Sequence, residues 1–540
     1  MKKIFFFIIF CLGSLWCFNK NWAYQSPYHM DPWYYFGYFI RFPGNASPYM
    51  IDRVPWILNG LFYVKIFGPV LGIGLMHTTM FGLITYVSYL CATKITSNKR
   101  AFLAASLLAC SPSFVGANAW DYPESFSILC MTFSTLFALK TECLKNKFLN
   151  SIICGFFFGT LILTHLGYLM AIIYPVALLA LFEQEKTERV LNVAKKITFF
   201  FAGCFLSYVI FFALYKCFGG PGVLLERSVG FALKASKWVK NPYLSPDWAF
   251  TAYHLIIPLF ASFCTLIPIK NNIAIKKYKI AYCLLIAPFF LYRNGEMIAT
   301  DFYASIFLPS SFLILAATFF SCIDKFDIKV IFLSCCLLFL FSNLQLLFPQ
   351  APKELVFSRT IIIFITFSLS AAYFFVLAYK KLIFLRHGIL FFCKCFFLCV
   401  FFQNVKPQYP RIATEIVNYN GPDFYKKVAN TIVEIENQFP NHIKIGFWFD
   451  NKTPSISTLE FRSIWASFHN GGKARTEFPI IRNSEMDGVD NLVVLAKSNE
   501  ELDLAIPTLF NSKYNFKEIA RTIVYGLSSN IYILFLRRID

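Results

Sequence analysis

Pro27-Tyr28-His29-Met30-Asp31-Pro32-Trp33-Tyr34-Tyr35-Phe36-Gly37-Tyr38, followed shortly by Pro48-Tyr49-Met50-Ile51-Asp52-Arg53-Val54-Pro55-Trp56, is the stretch on which the fold turns. A segment that only connected two elements would be short and polar, whereas this one is long, aromatic, proline-bearing and sparsely charged. Tyr and Trp favour the membrane–water interface, where an apolar ring meets a wet edge, and the same rings stack on sugars. The stretch is therefore expected to lie in the interface as amphipathic helices. Asp31 stands alone among the aromatic rings, so desolvation would raise its pKa and suit it to general-base work. A second reading is equally physical: Asp directly before Pro is a standard helix start, with Asp31 capping a helix that begins at Pro32.

On both sides of this stretch the composition is that of a chain solvated by lipid. Hydrophobic residues make up 57%, aromatic residues 19% and charged residues only 15%, with a mean hydropathy of +0.56. A soluble domain is roughly a quarter charged. Apolar runs long enough to cross a bilayer, about 17 to 25 residues each, recur from residue 4 to residue 402. Beyond residue 403 charged residues return and apolar stretches shrink to strand length. The expected fold is a polytopic α-helical membrane domain over residues 1–402, with about 13 crossings by helix-length arithmetic, and a small soluble α/β domain over residues 403–540.

The net charge of +20 does not imply nucleic acid, because Lys and Arg sit mainly at the ends of apolar runs and no separate basic domain carries them. The 17 cysteines end at Cys399, and nearly all lie inside apolar runs, where Cys behaves as a small buried hydrophobe. No CxxC pair has zinc spacing, so neither a disulfide framework nor structural zinc is expected.

The charges also predict topology. Met1-Lys2-Lys3 followed by Ile4 to Phe18 lacks a small-x-small cleavage site, so it reads as an uncleaved first helix with its N-terminus inside. The basic clusters Lys94/Lys99/Arg100, Lys140/Lys145/Lys147, Lys186/Arg189/Lys195/Lys196, Lys270/Lys276/Lys277/Lys279, Lys325/Lys329 and Lys380/Lys381/Arg386 then fall on alternate connections. The positive-inside rule places all of them in the cytoplasm. Outward segments are Asn19 to about Ile66, Ala117 to Pro123, a short turn near His165, Phe218 to Trp248, Arg293 to about Phe302, Phe348 to Arg359, and the tail. The last crossing, Gly388 to Phe402, is short and carries Lys394 in its middle, an intramembrane charge. If it does not span, the tail is cytoplasmic.

In the tail, Gly421-Pro422-Asp423 starts an amphipathic helix running to about Gln438. Ile443 to Phe449, Asn491 to Leu495 and Ile531 to Leu536 read as strands, and Asn499 to Phe510 as a helix. The tail contains no phosphate loop, nucleophile elbow or metal cluster, which leaves it as a docking or lid domain.

The order of elements resembles a known group. A short inside N-terminus, one helix, a large outward loop with an early Asp and a late Arg-x-Pro-aromatic stretch, many helices and a terminal outward domain are similar to the GT-C glycosyltransferases. Within them the resemblance is to the branch containing the protein O-mannosyltransferases and the bacterial aminoarabinose transferase of lipid A. Asp31 stands at the branch's first-loop catalytic aspartate, and Arg53-Val54-Pro55-Trp56 matches its Arg-x-Pro-aromatic stretch. Trp120-Asp121-Tyr122-Pro123-Glu124 matches an outward Asp followed closely by Pro, and Asp301-Phe302-Tyr303 through Pro309 is similar to a late Arg-Tyr…Pro stretch. Two departures stand out. Asp301 replaces a residue that is usually basic, and Pro32 takes the place of the second member of an acidic pair, which argues against a metal role.

The resemblance implies an inverting transferase whose donor is a sugar on a polyprenyl phosphate, acting at the outer face of an inner membrane. It implies Asp31 as general base, with Arg53 and Arg293 facing the departing phosphate and Lys234 and Lys237 in reserve. Asp121, Glu124 and Tyr303 would bind substrate, and Asp121 or Glu124 could instead serve as a helix cap or as the partner of an interfacial Arg. No cofactor is expected and no nucleic acid partner. The acceptor class, lipid, glycan or protein, stays open.

His77 and His165 lie on apolar helices and read as satisfied by a neighbouring helix. Asn45-Ala46-Ser47 and Asn451-Lys452-Thr453 fit a short glycosylation pattern, and Gly219-Gly220-Pro221-Gly222 is a turn. Competing functions are a transporter or flippase, a polysaccharide polymerase or ligase, and a membrane anchor for the tail. Transporters often carry related halves and paired interrupted helices, of which the sequence has neither. A polymerase would be expected to place its rich loop late in the chain, and an anchor leaves the first loop unexplained.

Overall fold

A computed structural model describes Tyr35, Tyr38, Phe39 and Phe42, most of residues 50–320, and the strands of the tail from Ile445 onward. The first helix, the segment from 321 to 430 and the Gly388–Phe402 crossing lie outside the described residues, as do nearly all of the 421–438 helix and both glycosylation-pattern sites.

The helices are α1 (Val54–Phe67), α2 (Pro69–Ile95), α3 (Asn98–Cys110), α4 (Glu124–Lys140), α5 (Lys147–Thr164), α6 (Ile173–Leu181), α7 (Arg189–Cys217), α8 (Glu226–Trp238), α9 (Ile256–Thr265), α10 (Ile273–Leu291) and α11 (Leu308–Thr318). Among the described residues three helical segments are long and apolar enough to cross a membrane, Leu71–Ile95, Lys147–Thr164 and Arg189–Cys217. The expectation of about 13 crossings extends well beyond the described residues. The second half of the first outward segment is not loop but α1. Its exposed residues include the apolar Phe62, Ile66 and Phe67 together with the charged Lys65. Gly68 in the left-handed region, followed by Pro69, reverses the chain into α2.

Lipid as solvent inverts the usual packing logic. The exposed side of α7 is Phe201, Phe205, Val209 and Ile210, while its buried side carries Gly203 and Ser207. Helices in a bilayer gain nothing from hiding Leu, so they associate where small residues let backbones approach. Gly155 and Gly159 of α5 and Gly203 of α7 do this: a Cβ at Gly155 would overlap the Phe200 carbonyl, and one at Gly203 the Ile152 carbonyl. The Thr160 and Ser207 hydroxyls hydrogen-bond across the same seam at 3.0 Å. Gly155→Leu is expected to cost about 1–3 kcal/mol by overpacking, seen as a lower melting temperature of the detergent-solubilised protein. An unchanged melting curve would contradict this seam.

Residues of the basic clusters meet the ends of neighbouring helices. At one end Arg100 donates to the Ala317 carbonyl at 3.2 Å, Asn272 to the Ile95 carbonyl at 3.3 Å, and Lys147 to Asn192 at 3.2 Å. Lys196 and Glu183 form a buried ion pair there at 2.7 Å. The opposite ends of α4 and α5 carry Glu124 and His165. Between them, buried hydroxyls satisfy one another: Tyr174 and Tyr278 at 3.0 Å, and each with Ser310, at 3.1 and 2.8 Å.

In the tail, β1 (Ile445–Trp448), β2 (Ile480–Ile481), β3 (Asn491–Ala496), β4 (Phe516–Val524) and β5 (Ile531–Arg538) form one mixed sheet in the order β2-β1-β3-β5-β4. The β1–β2 and β1–β3 pairs are parallel, and β5 runs antiparallel to β3 and β4. β3 is buried along its whole length, and for that reason reads as a continuous apolar run. Leu492, Val494, Leu534 and Leu536 form one cluster with Leu502 and Phe516, while Val493, Leu495, Ile533 and Phe535 join the large apolar core that includes the helices. β4 was not expected from the sequence. It is a sheet edge carrying Lys517, Glu518 and Arg521, and a charged edge blunts unwanted pairing while erasing the apolar alternation that signals a strand. Its ion pairs, Arg521 with Asp503 at 2.9 Å and with Glu518 at 3.1 Å, are exposed and contribute little.

Candidate active site

Arg53 sits where a 3-10 turn, Met50–Asp52, meets the start of α1. Pro55 in the first helical turn needs no N–H partner and presets the helix, which explains the Arg-Val-Pro-Trp spelling. Arg53 is only 8% exposed. Its Nη1 donates to the Tyr35 hydroxyl at 2.5 Å, and its guanidinium carbon lies 5.8 Å from the Tyr35 ring centre and 5.2 Å from that of Tyr122. The cation thus bonds the Tyr35 hydroxyl and lies against the Tyr122 ring, each interaction gaining strength from desolvation. Trp56 packs edge-on to Tyr35 at 6.4 Å and to Phe39 at 5.4 Å, holding the helical positions 35, 38 and 39 against α1.

Glu124 opens α4 and is buried, at the helix end where backbone N–H groups favour a carboxylate. His165 ends α5. There the helix gives way to a 3-10 turn, Leu166–Ile172, and the His165 Nδ1 accepts from the Gly167 N–H at 3.2 Å. The imidazole ring lies 4.9 Å from Tyr303 and 5.2 Å from Tyr168, and those two rings are 6.4 Å apart. Burial first, and the Arg53 cation second, hold the His165 imidazole well below the ordinary histidine range, so the ring is neutral at pH 7. Tyr168 lies within electrostatic reach of Glu124, Tyr303 and Arg53 together.

A second contact ties α8 to this turn. Asp52, with no exposed surface, accepts from the Ser228 N–H at 2.7 Å. Burial raises its carboxyl above the usual range, opposed by the Ser228 hydrogen bonds and by the Arg227 charge. Asp52 therefore caps the first turn of a helix 176 positions later in the chain.

The structure gathers four expected outward segments: the first, through Tyr35 and Arg53; the second, through Tyr122 and Glu124; the turn at His165; and the segment ending in Tyr303. Ser228 brings a fifth alongside. Of the sequence-expected site residues, Arg53, Glu124 and Tyr303 fall in this cluster. Asp31, Asp121 and Arg293 lie outside the described residues, although Tyr35 follows Asp31 by four positions and Tyr122 follows Asp121 directly. Lys234 and Lys237 are positions on α8. His77, read as satisfied by a neighbouring helix, is buried, and its backbone carbonyl accepts from Asn118 at 3.0 Å. His165, read in the same way, has its Nδ1 satisfied by its own backbone turn instead. The sequence signal missed was the polar break Thr164-His165-Leu166-Gly167 inside an apolar run. Among the described residues no three His, Cys, Asp or Glu side chains gather as a metal site.

No protein-family model matches the chain. No curated protein matches it either. Among solved structures it is similar to ArnT from Cupriavidus metallidurans bound to undecaprenyl phosphate, with a TM-score of 0.55 and 12% identity over 98% of this chain and 97% of that one. The apo state of the same protein gives a TM-score of 0.50 over the same shares. The oligosaccharyltransferase AglB from Archaeoglobus fulgidus, bound to an inhibitory peptide and a dolichol phosphate, aligns with a TM-score of 0.43 and 11% identity over 91% of this chain and 69% of that one. The fold is thus similar to that of these ArnT structures, with three helical segments among the described residues long and apolar enough to cross a membrane and a small C-terminal sheet.

Proposed function

We propose that on this fold the chain is an inverting membrane glycosyltransferase, moving a sugar from a polyprenyl-phosphate donor to a lipid, glycan or protein acceptor at the outer face of an inner membrane. The observation that carries the reading is the buried Arg53 cation held on Tyr35 and Tyr122 where the outward segments meet. Its two rings are chain neighbours of the proposed carboxylates Asp31 and Asp121. In the reaction, the acceptor hydroxyl gives its proton to Asp31 as its oxygen attacks the anomeric carbon, and the bond from that carbon to the phosphate oxygen breaks on the opposite face. The phosphate leaves as an anion, stabilised by Arg53 with Arg293 as a second cation. Asp121 and Glu124 bind sugar hydroxyls, and Tyr303 offers a ring for the sugar to stack on. Residues 403–540 act as a separate domain outside the membrane, docking the acceptor or covering the site.

The ArnT structure to which this fold is similar holds undecaprenyl phosphate, and that is the probe to use. Titrating it into the purified full-length protein in detergent is expected to give saturable binding in the wild type. Wild-type protein that shows no saturable binding would overturn the reading.

A further inference from the structure

Nothing in the proposed mechanism uses His165, yet its placement is specific. The ring stands between Tyr168 and Tyr303, at 5.2 and 4.9 Å. α5 ends at this residue, and α1, which Arg53 begins, packs against α5. The Gly167 N–H can only donate, so the Nδ1 that receives it carries a lone pair, and the proton of the neutral ring is on Nε2. The residue is therefore a fixed, single-faced donor: its acceptor nitrogen is already engaged by the backbone. A donor with no acceptor to offer, at the end of a helix against which the helix begun by Arg53 packs, suits an anionic oxygen better than a hydroxyl, which would bring a proton of its own.

We propose that His165 is a second ligand of the donor's phosphate, donating from Nε2 to one of its oxygens while Arg53 supplies the charge. This deepens the proposed function and rests on it. The division of labour follows from the surroundings: the Gly167 N–H on Nδ1 leaves His165 one neutral donor, so one full charge and one neutral hydrogen bond hold the phosphate, which lets the lipid product leave after transfer.

Two substitutions separate this role from a turn-forming one. His165→Asn keeps an oxygen near the Nδ1 position, able to accept from Gly167, and loses the Nε2 donor. His165→Gln places an amide N–H near the Nε2 position and loses the near acceptor. Titration of full-length protein with undecaprenyl phosphate is expected to show binding close to wild type for His165→Gln and about 10-fold to 100-fold weaker for His165→Asn, the size of a hydrogen bond to a charged group. Any order other than Asn weaker than Gln overturns the proposal. Should either variant fail to fold, protein labelled with ¹⁵N-histidine reports directly. Undecaprenyl phosphate is expected to move the Nε2–H resonance that His165→Phe removes, and an unmoved resonance overturns the proposal. Arg53→Ala serves as the reference: if it binds like wild type, the phosphate site itself is misplaced and the functional reading falls. If it loses binding while the two His165 variants bind alike, only the role of His165 falls.

Discussion

Asp31→Asn is expected to give a folded, correctly inserted protein that transfers sugar at least about a hundredfold more slowly, since a positioned general base contributes about 10²- to 10⁴-fold. Asn matches Asp in size and caps helices about as well, so a role limited to capping predicts the reverse pattern: Asn tolerated, and Ala costing stability. The two outcomes are read by comparing turnover with melting temperature for Asp31→Asn and Asp31→Ala. Near-normal transfer by Asp31→Asn would remove Asp31 from the mechanism and leave Asp121 and Glu124 as the carboxylates to test.

Arg53→Ala is expected to lower turnover by about 10² to 10³, the usual loss when a donor aimed at developing negative charge is removed from a dry site. Arg53→Lys restores the charge but not the planar group that lies against the Tyr122 ring and bonds the Tyr35 hydroxyl, so it should recover only part of the loss. Full recovery with Lys would show that charge alone matters. Equal loss in both variants, with unchanged expression, would assign Arg53 to bidentate or structural duty.

How much of this was legible in the sequence depended on whether a feature was local. The strands at Ile445, Asn491 and Ile531 were readable because each is a short apolar run, whereas the start of α1 inside the first outward segment was not, although Pro55 marks its first turn. Counting charges placed the basic clusters at helix ends, where Arg100 and Lys147 make contacts with neighbouring helices. What escaped notice were relations between distant segments. Asp52 carries no signal of its role in its own stretch, because the N–H it accepts belongs to Ser228, 176 positions later. Gly155 and Gly203 carry meaning only as a pair, each lying where the other helix's backbone passes. His165 was set aside as a satisfied helix residue, because nothing in its own run foretells Tyr303 beside it. β4 went unseen for the opposite reason, its charged edge concealing a strand.

The most direct test of the central claim is mass spectrometry of lipids and surface glycans from host cells carrying the wild-type chain, the Asp31→Asn chain or neither. The account predicts one sugar modification present with the wild-type chain, absent without it and not restored by Asp31→Asn at equal expression. Identical lipid and glycan spectra from all three cells would contradict it.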